Sequence, residues 1–143
     1  MKALIVTVLG LALSAAACSN SSTTAPSTTT TTTTPAAPTM TETFRGTLTV
    51  GGTSFYSFSV GQYGTVNVTL NSVTGPFIPP TVFVSLALGT PSGAVCSGTT
   101  TQAQAGSSPQ ITGSYNPGVF CVAIADLGNL FGPAAFTITI AHP

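Results

Sequence analysis

From Thr41 onward, apolar and polar residues alternate with a period of two. Phe44, Gly46, Leu48 and Val50 alternate with Arg45, Thr47 and Thr49, the pattern that lines one face of a half-buried strand. Gly51-Gly52 follows and reads as a two-residue hairpin turn of the primed type. The predicted return strand covers 53–60, with Tyr56, Phe58 and Val60 on one face. Gly61 to Gly64 turns the chain into a strand over 65–72, where Val66, Val68 and Leu70 alternate with Asn67 and Thr69. Beyond a loop holding Gly75-Pro76 and Pro79-Pro80, residues Val82, Val84, Leu86 and Leu88 mark a strand over 81–88. A turn over 89–93 leads to a short strand over 94–99 that contains Cys96. Strands over 110–115, 119–125 and 135–141 complete the set, separated by Asn116-Pro117-Gly118 and by Asp126-Leu127-Gly128-Asn129.

About eight short strands within residues 41–143, punctuated by Gly, Pro, Asn and Asp and with no helical period, argue an all-β sandwich. Alternation of apolar and polar positions favours antiparallel over parallel sheets. The expected architecture is therefore two antiparallel sheets packed face to face. Cys96 and Cys121 fall on separate predicted strands. In an oxidising compartment they pair as a disulfide, closing a loop worth about 3 kcal/mol.

The alternation does not extend upstream. Met1-Lys2, an apolar run over 3–13 and Ser14-Ala15-Ala16-Ala17-Cys18 have the layout of an export signal. The run is too short to span a bilayer, which takes about 20 apolar residues. Ala15-Ala16-Ala17-Cys18 resembles a bacterial lipobox, in which the Cys thiol is diacylated and the residue becomes the new N-terminus. Ala15 stands where Leu is commonest, and Ala15-x-Ala17 also fits ordinary signal-peptidase cleavage, which would leave a secreted chain. Two or three acyl chains anchor far more firmly than one, so a lipidated Cys18 implies attachment to the outer membrane or cell surface. Residues 19–40 are Ser, Asn, Thr, Ala and Pro almost throughout, with seven consecutive Thr over 28–34. Nothing in that stretch offsets the entropy of ordering, so it reads as a tether. The predicted organisation is a signal over 1–17, a lipidated Cys and linker over 18–40, and a folded domain over 41–143.

Composition sharpens this picture by what it excludes. Charged residues make up 3% of the chain, against about 25% in ordinary soluble domains. Thr and Ser together number 42 of 143 residues. With Arg45 the one basic residue after Lys2, no patch exists to neutralise phosphates, and nucleic acid is excluded as a partner. Two carboxylates and one His are too few for a metal or cofactor site, and no cofactor is expected. Loss of residues 1–17 leaves Arg45, Glu42 and Asp126, a formal net charge of −1.

The residues now carry a resemblance. Phe44-x-Gly46, Phe55-Tyr-Ser-Phe58 and Gly64-x-Val66-x-Val68-x-Leu70, followed by Pro117-Gly118 through Gly128 and Phe136-Thr-Ile-Thr-Ile140, resemble the bacterial pre-peptidase C-terminal domain over roughly residues 43–142. That resemblance implies a jelly-roll-like sandwich, without catalytic activity of its own, found in exported proteins; some relatives bind collagen or polysaccharide. Calcium binding, known in some relatives, rests on clustered carboxylates that Glu42 and Asp126 alone do not supply.

A Ser/His/Asp relay would need His142, one residue from Pro143 where fraying is expected, and there is no Gly-x-Ser-x-Gly elbow. No catalytic residue is assigned. Asp126 is expected to bond the backbone of its own turn, with ligand contact as the alternative. Glu42 and Arg45, three apart on a strand, point to opposite faces and read as solvated groups. Tyr63, Phe77 and Tyr115 fall in or beside turns and are candidates for an aromatic ligand platform, or for packing over the sheet ends. The expected function is a non-enzymatic cell-envelope lipoprotein whose sandwich acts as a structural or interaction module, bound to the membrane through acyl chains on Cys18. The alternative is a module that binds an extracellular polymer, either a polysaccharide or a collagen-like protein.

Overall fold

Strands form where the alternation places them. The computed structural model describes residues 32–143, and over that span the order is β1 (Met40–Leu48), β2 (Thr53–Val60), β3 (Gly64–Thr74), β4 (Phe83–Ser92), β5 (Val95–Gln104), β6 (Ile111–Tyr115), β7 (Gly118–Ala125) and β8 (Ala134–His142). The signal segment, Cys18 and most of the Thr-rich linker lie outside the described residues.

Two four-stranded antiparallel sheets result, in the orders β1-β8-β3-β6 and β2-β7-β4-β5. The first strand pairs with the eighth, the second with the seventh, the third with the sixth and the fourth with the fifth. This is one long antiparallel ribbon rolled on itself, the topology of a jelly roll. Inward residues from both sheets fill the space between them. Leu48, Val66, Val68, Leu70, Phe136, Ile138 and Ile140 come from one sheet, and Phe58, Val84, Leu86, Leu88, Val122 and Ile124 from the other, all buried. Thr33–Pro143 is a compact unit of its own and contains every strand and the buried core found among the described residues.

Three local expectations change. Gly51-Gly52 does not make a hairpin, because β1 and β2 belong to different sheets. The Gly52 N–H donates to the Thr49 carbonyl at 2.9 Å with Gly51 left-handed at φ 67°, as the third position of a type II turn requires. Turns of that hand splay the flanking strands, whereas primed turns match their twist. The one hairpin within a sheet joins β4 to β5 through Gly93 and Ala94, with Gly93 at φ 62° and Ser92 opposite Val95. Residues 89–92, expected as a turn, therefore continue β4, and the short strand expected over 94–99 runs to Gln104.

The third change concerns the linker boundary. Ala36 donates its N–H to Tyr63 O and accepts from Thr65 N–H, forming a parallel bridge to Gly64. The Thr39 N–H donates to His142 O. Strand β8 meets β3 only from Asn67 onward, so the backbone groups of β3 nearest Gly64 would otherwise lack a partner on that side. Residues 36–40, predicted as tether, fill that slot and belong to the fold.

The predicted disulfide is present. Cys96 on β5 and Cys121 on β7 are bonded, their Cα atoms 5.7 Å apart. The pairing is unusual in reach, since β4 lies between those strands. Gly89 and Gly98 face each other across the β4–β5 ladder. A Cβ on either would collide with backbone of the opposite strand. Their bare backbones let the end of the hairpin close on β7.

Candidate interaction surface

Strand direction sorts the sandwich into two ends. β3 runs from Gly64 at one end to Thr74 at the other, and the antiparallel pairings place every remaining loop. The linker end carries Ala36, the 61–63 turn, the Gly93-Ala94 turn, Asn116-Pro117 and Pro143. The loop end carries the 49–52 turn and the loops over 75–82, 105–110 and 126–133.

The linker end holds a polar cluster that the alternation conceals. His142, the last residue of β8, is only 1% exposed. Its Nε2 lies 3.0 Å from Glu42 Oε1, its Nδ1 faces the Pro143 carbonyl oxygen at 3.3 Å, and its ring sits 5.4 Å from that of Phe58. The Gly61 N–H donates to Pro143 O. The expectation that this chain end frays is overturned, and so is the reading of Glu42 as merely solvated. Arg45 is exposed, as expected. The missed signal was strand parity. Glu42 shares the inward face with Phe44 and Leu48, as His142 does with Ile138 and Ile140.

Asp126 does more than bond its own turn. Its Oδ1 accepts from the backbone N–H groups of Gly128, Asn129 and Leu130 at 2.9, 2.9 and 3.2 Å. Its Oδ2 accepts from Gly51 N–H at 2.8 Å, and its own N–H donates to Gly52 O. The carboxylate thus clamps the β1–β2 turn to the β7–β8 loop. Burial pushes its carboxyl up, but the bonds from Gly51, Asn129, Leu130 and Gly128 together outweigh that and hold it below its ordinary range. Stabilisation of the charged form by several donors is the cause. With both oxygens engaged, Asp126 is a structural clamp.

The three aromatic candidates do not assemble. Tyr63 and Tyr115 lie at the linker end, where Tyr115 packs edge-on against Phe120 with ring centres 5.1 Å apart. Burial raises the Tyr115 phenol above its ordinary value. Tyr63 borders a shallow depression of about 270 Å³ with Thr33 and Asn116. Phe77 stands at the opposite end, 72% exposed.

Phe77 has company that the sequence did not single out. Phe131 is 80% exposed, and Val50, Phe83 and Leu127 are also exposed, all on loops or strand starts at the loop end. The Phe77 ring passes close to Gly132, so the two loops bearing Phe77 and Phe131 lie side by side. Next to them a cleft of about 330 Å³ is lined by Asn71, Thr74, Gly75, Ile78, Pro80 and Ala105. No charged group other than the engaged Asp126 lies on these loops. Clustered exposed apolar side chains of this kind mark interaction surfaces. The signal available in sequence was Leu127, Leu130 and Phe131 in a loop otherwise rich in Gly and Pro.

No protein-family model matches this chain, and no curated protein sequence matches it.

Proposed function

We propose that the chain is a non-enzymatic bacterial cell-envelope lipoprotein, anchored by acyl chains on Cys18, whose pre-peptidase C-terminal-like jelly roll is an interaction module. The observation that carries this reading is the separation of the two ends. Chain enters the sandwich at Ala36, where Met40, Val95 and Val119 are exposed, while the two most exposed large apolar side chains, Phe77 and Phe131, stand together at the far end. A domain held by its linker end presents Phe77 and Phe131 outward. His142 and Asp126 stand at opposite ends and are each engaged, which supports a module without acid–base chemistry. Labelled palmitate should enter the wild-type protein and not Cys18→Ser; equal labelling of the two, or none, overturns the anchor.

The alternative, binding of an extracellular polysaccharide or collagen-like polymer, is favoured by the Phe77–Phe131 pair beside an uncharged cleft. Residues 33–143 should then be retained on one such polymer, and Phe77→Ser with Phe131→Ser should abolish retention. Absence of retention across the panel removes this alternative.

A further inference from the structure

A sheet edge exposes a row of unpaired N–H and C=O groups, and proteins blunt such edges with charge, brevity or cover. This sandwich has four edges: β1 and β6 in one sheet, β2 and β5 in the other. Three are blunted. β1 carries Glu42 and Arg45, the only charged pair on any strand besides His142. β2 is uncharged too, but it lies beside the charged edge of β1, the Tyr56 hydroxyl donating to Arg45 O at 3.1 Å and its ring stacked 4.8 Å from Phe44. β6 is five residues long. Where β6 stops short along β3, the 105–110 loop takes over. Gly106 N–H donates to Leu70 O, Gln110 N–H donates to Val68 O, and Gln110 Oε1 accepts from Leu70 N–H at 2.7 Å.

β5 has no such device over most of its length. The disulfide occupies Cys96 and the Gln110 side chain covers Gln104 O at 3.1 Å. Between them Ser97-Gly-Thr-Thr-Thr-Gln-Ala103 lies at the rim with no charge, no Pro and no bulge against β4. Nor does any strand of that sheet carry a charged side chain.

We propose that β5 is the edge through which two copies of this chain pair, strand beside antiparallel strand. Neutrality of the whole sheet removes the repulsion that ordinarily keeps identical edges apart. Antiparallel self-pairing sets Thr99, Thr100 and Thr101 of one copy against the same run in the other, and Thr–Thr pairs across strands are favourable. A two-fold contact of this kind uses the β5 edge of both copies at once, so this contact closes at two. Seven residues span about 23 Å, which puts the contact at the small, weak end of specific interfaces. The inference does not depend on the anchor, although confinement at a membrane would raise the effective concentration.

Sedimentation of residues 33–143 should show a reversible monomer–dimer equilibrium, with a dissociation constant on the order of 10–1,000 µM. Thr100 lies on the exposed face of β5, opposite Ala87 of β4. Thr100→Lys, which places like charges across the two-fold, should weaken pairing at least about tenfold. An equimolar mixture of Thr100→Lys and Thr100→Glu should recover it, a result that a misfolded variant would not give. A wild-type chain that stays monomeric throughout overturns the proposal. So does a Thr100→Lys variant that pairs as wild type, or pairing that survives Thr100→Lys and is lost on Phe77→Ser with Phe131→Ser.

Discussion

At the linker end, backbone and side-chain polar groups pair in several places. His142 meets Glu42, Pro143 O meets Gly61, Ala36 meets both Tyr63 and Thr65, and the disulfide ties the β4–β5 hairpin to β7. At the loop end a single carboxylate, Asp126, gathers four N–H groups, while Phe77, Phe131 and Leu127 project beyond it. Both ends carry distributed backbone contacts, but only at the loop end does one carboxylate alone collect four N–H groups, alongside bonds from the Asn129 and Gln110 side chains. A chain with so few charges has placed both of its carboxylates where they organise backbone or a buried imidazole. On the proposed reading, attachment at the linker end and recognition through Phe77 and Phe131 at the loop end are separated along the long axis of the roll.

The contrast can be broken most severely at the linker end. Cys96→Ser with Cys121→Ser removes a cross-link over 25 residues and should cost about 3 kcal/mol, read as a lower midpoint in urea. Second in size is Asp126→Ala, which strands the N–H groups of Gly51, Gly128, Asn129 and Leu130. A loss of about 1–2 kcal/mol is expected, with faster hydrogen exchange confined to the 49–52 and 126–133 loops. Acid should act on the same clamp. The folded carboxyl is lowered, so its contribution is complete above the ordinary Asp value of about 3.9 and disappears as pH falls through the lower folded value. Melting temperature should drop over that acid window in the wild type and change less in Asp126→Asn.

A smaller effect is expected from Glu42→Gln, about 1 kcal/mol from weakening one charge-assisted hydrogen bond, with the chemical shifts of His142 as the local reporter. The smallest belongs to Phe77→Ser with Phe131→Ser. Stability should stay within about 0.5 kcal/mol of wild type while binding of an apolar dye falls. A large loss of stability there would show that the loop end is packed structure and not a presented surface.

Much of this fold was legible in the sequence because alternation is local. All eight strands stand close to their predicted places, and β2 matches its predicted range. Cys96 and Cys121 paired as their positions suggested. Partnership is a different matter, since a period of two identifies a strand without naming its neighbour. The most separated pair in the β1–β8 ladder, Met40 opposite His142, lies about a hundred residues apart in the chain, and nothing near either residue encodes it. Gly51-Gly52 and Gly93-Ala94 illustrate the same gap: both turns hold a glycine at positive φ, yet only the second joins strands of one sheet. The loop-end surface was half legible. Phe77 stood out among turns, but its neighbour Phe131 is brought there by the roll.

The central position of β8 has a temporal side. β1 and β3 share no ladder with each other; both pair with β8, which lies between them. It follows the seven other strands among the described residues. A chain emerging or threading through a pore N-terminus first can zip β4 against β5 early, from contacts close in sequence. Its other sheet must wait for residues 134–142. Until they arrive, the apolar faces of β1 and β3 have no seam between them, and the interval before that last strand is through is when the chain is most exposed to aggregation and to chaperone capture.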